Sequence, residues 1–135
     1  MDLPQTGKWR FVDRLLDASE DSVTAELDVT EAMCEGHFER ELVVPGVMMI
    51  EGMAQSMVLL GQQQATDGSG RLPVLVGLDR VRFRQVVRPP ATLRFVVKWG
   101  ERKGPMLVAH ATTRVDGKRV CTAKLLATTV AKGDG

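Results

Sequence analysis

Residues 45–60 read Pro45-Gly46-Val47-Met48-Met49-Ile50-Glu51-Gly52-Met53-Ala54-Gln55-Ser56-Met57-Val58-Leu59-Leu60. Pro45 suits a first helical turn, where its missing N–H costs nothing. From Val47 to Leu60 the stretch is apolar nearly all the way round, and a helix without a polar stripe is a buried one. The polar, turn-rich Gln62 to Gly70 that follows predicts its end. Only Glu51 and Gln55 interrupt the apolar surface strongly, and being four apart they share a face.

Outward from this helix the period changes. Arg80 to Val86 alternates strictly, as a strand with one wet face does. Thr92–Trp99, Met106–Val115 and Lys118–Val130 read as further strands, with Asp116-Gly117 a strong hairpin signal and residues 100–105 (GERKGP) another turn. Upstream, Trp9–Leu16 and Ser22–Thr30 supply two more. One buried helix with an antiparallel sheet of about five or six strands to cover it is α+β, and a sheet curled around the helix, a hot-dog arrangement, is its simplest packing.

The 135 residues fit one domain spanning 1–135, with no repeat or long linker. Cys34 and Cys121 match no metal-ligand spacing and are too few for a disulfide framework, so two free thiols in a reducing cytoplasm are expected. MDLPQTGKWR carries no apolar signal region, and no apolar run reaches the roughly 20 residues of a membrane span. Net charge is +1, yet residues 1–51 hold four basic and twelve acidic side chains, and residues 71–105 nine basic and two acidic. Such asymmetry suits a charged partner or a second subunit. Only 4% of the chain is aromatic, which argues against single-strand nucleic-acid binding.

A buried carboxylate is costly and drifts towards its protonated form, which is what a general acid requires. Glu51 is placed that way. Fourteen residues earlier, Gly36-His37-Phe38 puts a histidine, the natural general base, in a loop. Between them Val44-Pro45-Gly46 leads into a helix N-terminus, where free N–H groups favour negative charge. Acid, base and oxyanion donors so close together equip the chain for chemistry beside a carbonyl. His110 stands alone in a strand and reads as incidental. Met48, Met49, Met53 and Met57 read as core and dimer packing, with some able to line an apolar cavity.

These motifs, Gly36-His37-Phe38, Pro45-Gly46-Val47 and Ile50-Glu51-Gly52-Met53-Ala54-Gln55, resemble the FabZ-type (3R)-3-hydroxyacyl-acyl-carrier-protein dehydratases. Phe11-Val12-Asp13-Arg14, Gly77-Leu78-Asp79-Arg80-Val81-Arg82-Phe83-Arg84 and Asp116-Gly117-Lys118 with Cys121 and Ala123 extend the resemblance along nearly the whole chain. It implies a hot-dog homodimer whose sites combine His from one subunit with Glu from the other, such dimers often assembling into hexamers as trimers of dimers. By the same resemblance His37 removes the α-proton and Glu51 protonates the departing 3-hydroxyl. The N–H of Gly46, with Val47 and Phe38 about the substrate, holds the thioester oxygen, and Gln55 orients Glu51 or its water. No metal or other cofactor is implied. The substrate arrives on an acyl carrier protein, for which Arg80, Arg82 and Arg84 offer a cationic landing surface.

Three positions depart from the family pattern. Glu39 replaces the proline that usually follows His-Phe, Pro4 to Lys8 replace a Pro-His-Arg-like element, and Pro89-Pro90-Ala91 replaces Pro-Gly-Asp. They favour a divergent member in a specialised acyl pathway. Glu at position 51 matches FabZ, whereas the FabA-type dehydratase-isomerases carry Asp. Two other readings stay open: a hot-dog thioesterase with Glu51 as nucleophile or base, and a non-catalytic hot-dog subunit that binds acyl carrier protein.

Overall fold

The computed structural model describes Leu3 and residues 7–36, 42–64 and 71–131. After a 3-10 turn at Gly7–Trp9 come β1 (Arg14–Ala18), β2 (Ser22–Val29), α1 (Glu31–Cys34), α2 (Gly46–Gln64), β3 (Arg71–Phe83), β4 (Ala91–Lys103), β5 (Met106–Val115) and β6 (Lys118–Ala131). The strands form one six-stranded antiparallel sheet in the order β1-β2-β4-β5-β6-β3. The sheet wraps α2, which packs against β2, β3, β4, β5 and β6. This is the hot-dog architecture expected.

The apolar surface of α2 explains the wrap. Met53, Met57 and Leu60 are fully buried, and Met48 and Met49 nearly so. Each such side chain contributes about 1.5–3 kcal/mol of burial, more than a flat sheet touching one helix face could collect. On the inner sheet face Ala109, Ala111, Ala123 and Ala127 are small enough to admit the helix, while Leu93, Phe95 and Val97 of β4 fill the space beside it. Three glycines set the closeness. A Cβ on Gly46 would lie 2.6 Å from the Phe83 ring, one on Gly52 2.1 Å from Phe95 Cζ, and one on Gly61 2.5 Å from Pro73. Each glycine therefore seats a ring of the sheet directly on helix backbone.

The outer sheet face is polar. Arg14, Glu26 and Arg94 lie abreast on β1, β2 and β4. Arg14 donates to Glu26 at 2.9 Å and, through both terminal nitrogens, to Asp28 at 2.7 and 2.9 Å; Arg94 donates to the other oxygen of Glu26. Burial pushes the Glu26 carboxyl up, but the guanidiniums of Arg94 and Arg14 outweigh it and hold it below its ordinary value. Asp28, bonded by Arg14 and Thr92, is lowered to about 2.

Several expected boundaries move. Pro45 stands just before α2, its carbonyl accepting the Met48 N–H, and the helix runs on through Gln64 because glutamine is a good helix former. The expected strand Trp9–Leu16 begins only at Arg14, since the Phe11 N–H and Trp9 carbonyl are bonded to Gln55 instead of a neighbouring strand. β3 starts at Arg71 and stops at Phe83, so Arg84–Val86 lie beyond it. Of the expected turn at 100–105 only Gly104-Pro105 turns. β4 continues to Lys103 past Gly100, whose missing side chain leaves room for the His110 ring. The Asp116-Gly117 hairpin forms with both residues at positive φ, 51° and 80°, as a two-residue turn between twisted strands requires. Four-residue α1, too short to announce itself by periodicity, was not expected.

Candidate active site

α2 places Glu51 and Gln55 one turn apart on one face. Gln55 is fully buried and Glu51 partly so. The Gln55 Nε2 donates to Glu51 Oε1 at 2.9 Å and to the Trp9 carbonyl at 2.8 Å, while its Oε1 accepts the Phe11 N–H at 2.8 Å. A buried amide must satisfy its polar atoms, and here all three bonds are made. The expected pairing of Gln55 with Glu51 is thus present, and among the described residues the carboxylate is held through one oxygen.

Gly46 and Val47 open the helix, so their N–H groups have no earlier carbonyl of α2 to reach. The entry is fixed by the Val44 N–H to the Val87 carbonyl at 2.8 Å and by Phe83 lying on Gly46. Val47 is 71% exposed. Glu51 is five residues after Gly46, about 7.5 Å along the axis. One turn before Glu51, Met48 lines a cavity of about 410 Å³ together with Gly7, Arg10, Phe11, Asp13, Leu27, Asp28 and Met33. Met33 belongs to the segment that leads through Gly36 towards His37. His37, Phe38 and Glu39 themselves lie outside the described residues.

Arg80, Arg82 and Arg84 are brought together, but not by simple alternation. β3 pairs Asp79 with Lys124 and then Arg82 with Thr122, so one extra residue bulges, with Arg80 at φ 52°. A bulge reverses which residues face outward. Arg82 is thereby turned to the face of Thr122 and Lys124, away from α2. All three arginines line a surface cleft of about 390 Å³ with His110, Thr112, Thr122 and Lys124. His110 and Lys124 are the members that sequence reading missed; their register opposite one another on β5 and β6 is visible only in the folded sheet.

Cys34 and Cys121 are free and buried, and burial raises both thiols, Cys121 to about 11. Among the described residues no cluster of three or more His, Cys, Asp or Glu could hold a metal, and no helix is long and apolar enough to cross a membrane.

Comparison with known proteins follows the same lines. The family model described as the FabA-like domain matches residues 3–124. The chain is 35% identical over 125 residues to the 3-hydroxyacyl-[acyl-carrier-protein] dehydratase FabZ of Streptococcus thermophilus, covering 91% of this chain and 88% of that one. It is 39% identical over 126 residues to the FabZ of Pseudothermotoga lettingae, covering 92% and 88%. Among solved structures, the dehydratase heterocomplex ApeI:P from Xenorhabdus doucetiae superposes with a TM-score of 0.79 at 17% identity, covering 96% of this chain and 89% of that one. A hypothetical thioesterase with coenzyme A from Streptococcus pneumoniae superposes with 0.71 at 11% identity, covering 87% and 85%; at such identities the likeness is one of fold. Matched by the family model and by these relatives over nearly its whole length, the chain is a FabZ-type member of the FabA-like family.

Proposed function

We propose that this chain dehydrates (3R)-3-hydroxyacyl groups on acyl carrier protein to the trans-2-enoyl thioester in fatty acid or specialised acyl synthesis, with His37 as base and Glu51 as acid. The observation that carries this reading is the buried Gln55 amide holding Glu51 by a single oxygen on a helix that opens at Gly46. His37 takes the α-proton, charge develops on the thioester oxygen against the Gly46 and Val47 N–H groups, and the C3–O bond breaks as Glu51 protonates the leaving hydroxyl. Phe38 and the cavity beside Met48 receive the acyl chain.

The active form is a homodimer, with His37 and Glu51 contributed by different subunits. In support, β3 is an edge strand carrying exposed Val74, Val76, Leu78 and Phe83, and Phe83 lies on Gly46 at the start of α2, next to exposed Val47. An apolar edge of this kind is covered in a stable protein. Further assembly into a trimer of dimers belongs to the same reading. Arg80, Arg82 and Arg84 serve the acidic carrier protein, and the two free thiols suit the cytoplasm.

The test is to incubate the purified protein with short and medium (3R)-3-hydroxyacyl carrier proteins and follow product mass. Loss of one water, abolished in both His37→Ala and Glu51→Gln, is expected. Release of free acid would place the chain with the thioesterases instead. No change from a folded protein that binds the carrier would leave a non-catalytic subunit.

A further inference from the structure

The Gln55 amide has two ends, and the bonds around it allow only one orientation. Its oxygen faces the Phe11 N–H, and its nitrogen faces the Trp9 carbonyl and the Glu51 carboxylate. Turned over, the amide would set oxygen against two acceptors and N–H against a donor, three repulsive contacts at a fully buried site. The groups that decide between the two orientations are main-chain atoms of a segment 44 and 46 residues away in sequence. That segment, running from the last residue of the 3-10 turn towards β1, uses on Gln55 the N–H and carbonyl that a strand would give to a neighbour.

We propose that residues 9–11 are a positioning element for the catalytic acid. Their main chain commits the Gln55 N–H to Glu51 Oε1, which leaves Oε2 as the oxygen that carries the proton and delivers it to the leaving hydroxyl. An oxygen that accepts an N–H bond is the poorer place for a proton, so the two carboxyl oxygens are made unequal before substrate arrives. The element acts without touching substrate through these atoms. Any residue could stand at position 11 for this purpose except proline, which lacks the N–H. This inference rests on the reading of Glu51 as the acid.

The experiment compares Phe11→Pro with Phe11→Leu in the dimeric protein, measuring kcat and KM for a 3-hydroxyacyl carrier protein. Both variants lose the ring; only Phe11→Pro loses the N–H. A kcat lower in Phe11→Pro than in Phe11→Leu by about tenfold to a hundredfold, with KM equal within about twofold, is expected for a displaced acid. Equal kcat in the two folded variants would overturn the proposal. Should Phe11→Pro fail to fold, amide hydrogen exchange on the unaltered chain decides. The Phe11 N–H must exchange as slowly as those of central α2, and exchange at the rate of a frayed terminus would overturn the proposal equally. Wild-type protein and Glu51→Gln run alongside separate the two readings. An inactive wild type, or an active Glu51→Gln, refutes the acid itself, whereas a dead Glu51→Gln beside equal Phe11 variants refutes only the positioning element.

Discussion

The contact between Gly52 and Phe95 makes a quantitative prediction. An alanine at 52 would put its Cβ 2.1 Å from Phe95 Cζ and 2.5 and 2.6 Å from the two Cε atoms. Carbon atoms rest about 3.5–4.0 Å apart, so helix and ring must separate by about 1.5 Å. Phe95 is fully buried and cannot swing aside. Overpacking of this kind costs about 1–3 kcal/mol and occasionally more, against about 1 kcal/mol gained by replacing glycine in a helix. With three atoms under 2.7 Å the upper end applies. The expected net loss is about 2 kcal/mol, or roughly 6–8 °C in Tm for a chain of this size. Because residue 52 adjoins Glu51, a lift of about 1 Å also displaces the acid and lowers kcat by about a hundredfold. Calorimetry and carrier-protein kinetics on Gly52→Ala, Phe95→Leu and the double variant check this. Leucine removes the offending ring atoms, so the double variant must be more stable than the two single losses sum to. Additive losses, or an unperturbed Gly52→Ala, would refute the reasoning.

Gly46→Ala meets Phe83 at 2.6 Å, and in the dimer that ring belongs to the covered β3 edge and cannot turn outward, so a net loss of about 1–2 kcal/mol, roughly 4–7 °C in Tm, is expected on differential scanning calorimetry. Thr113 Oγ1 is buried with no hydrogen-bond partner among the described residues, so Thr113→Val should gain about 1 kcal/mol in urea unfolding, and a loss of stability would refute this. The carboxyls of Glu26 and Asp28 are lower in the fold than in the unfolded chain, so the stability they add is complete above about pH 4.5 and fades as pH falls towards about 2. Since Asp28 is 53% exposed, the Asp28 share should shrink in high salt, and Arg14→Met should flatten the acid limb of a Tm-against-pH curve. Replacing Arg80, Arg82 and Arg84 by glutamate should raise KM for a carrier-bound substrate at least about tenfold, leaving turnover of a small pantetheine thioester unchanged.

What the chain discloses before folding follows from range. The buried helix, its glutamate and its glutamine were legible because an apolar surface on every side has one physical remedy. β5 and the hairpin after it were legible because alternation and Asp116-Gly117 are local signals. The arginine cleft was half legible. Spacing named three members, but the bulge that turns Arg82 outward and the register that adds His110 and Lys124 are properties of strand pairing. The Arg14–Glu26–Arg94 row and the main-chain partners of Gln55 were illegible for the same reason, each joining residues far apart in sequence.

The strand order has a consequence for the sequence of events as the chain is made. β3 leaves the ribosome directly after α2, yet its ladder partner is β6, the last strand: Phe83 waits for Cys121, and Leu72 for Val130. Until synthesis is nearly finished the methionine-rich helix lacks two of its five covering strands, and β3 has no pairing at all. Closure of the sheet is therefore a late, long-range step, and such steps are slow and expose apolar surface. A nascent chain arrested before residue 118 should accordingly be protease-sensitive along β3 and held by chaperones, whereas release of the full chain should protect that strand and the helix together.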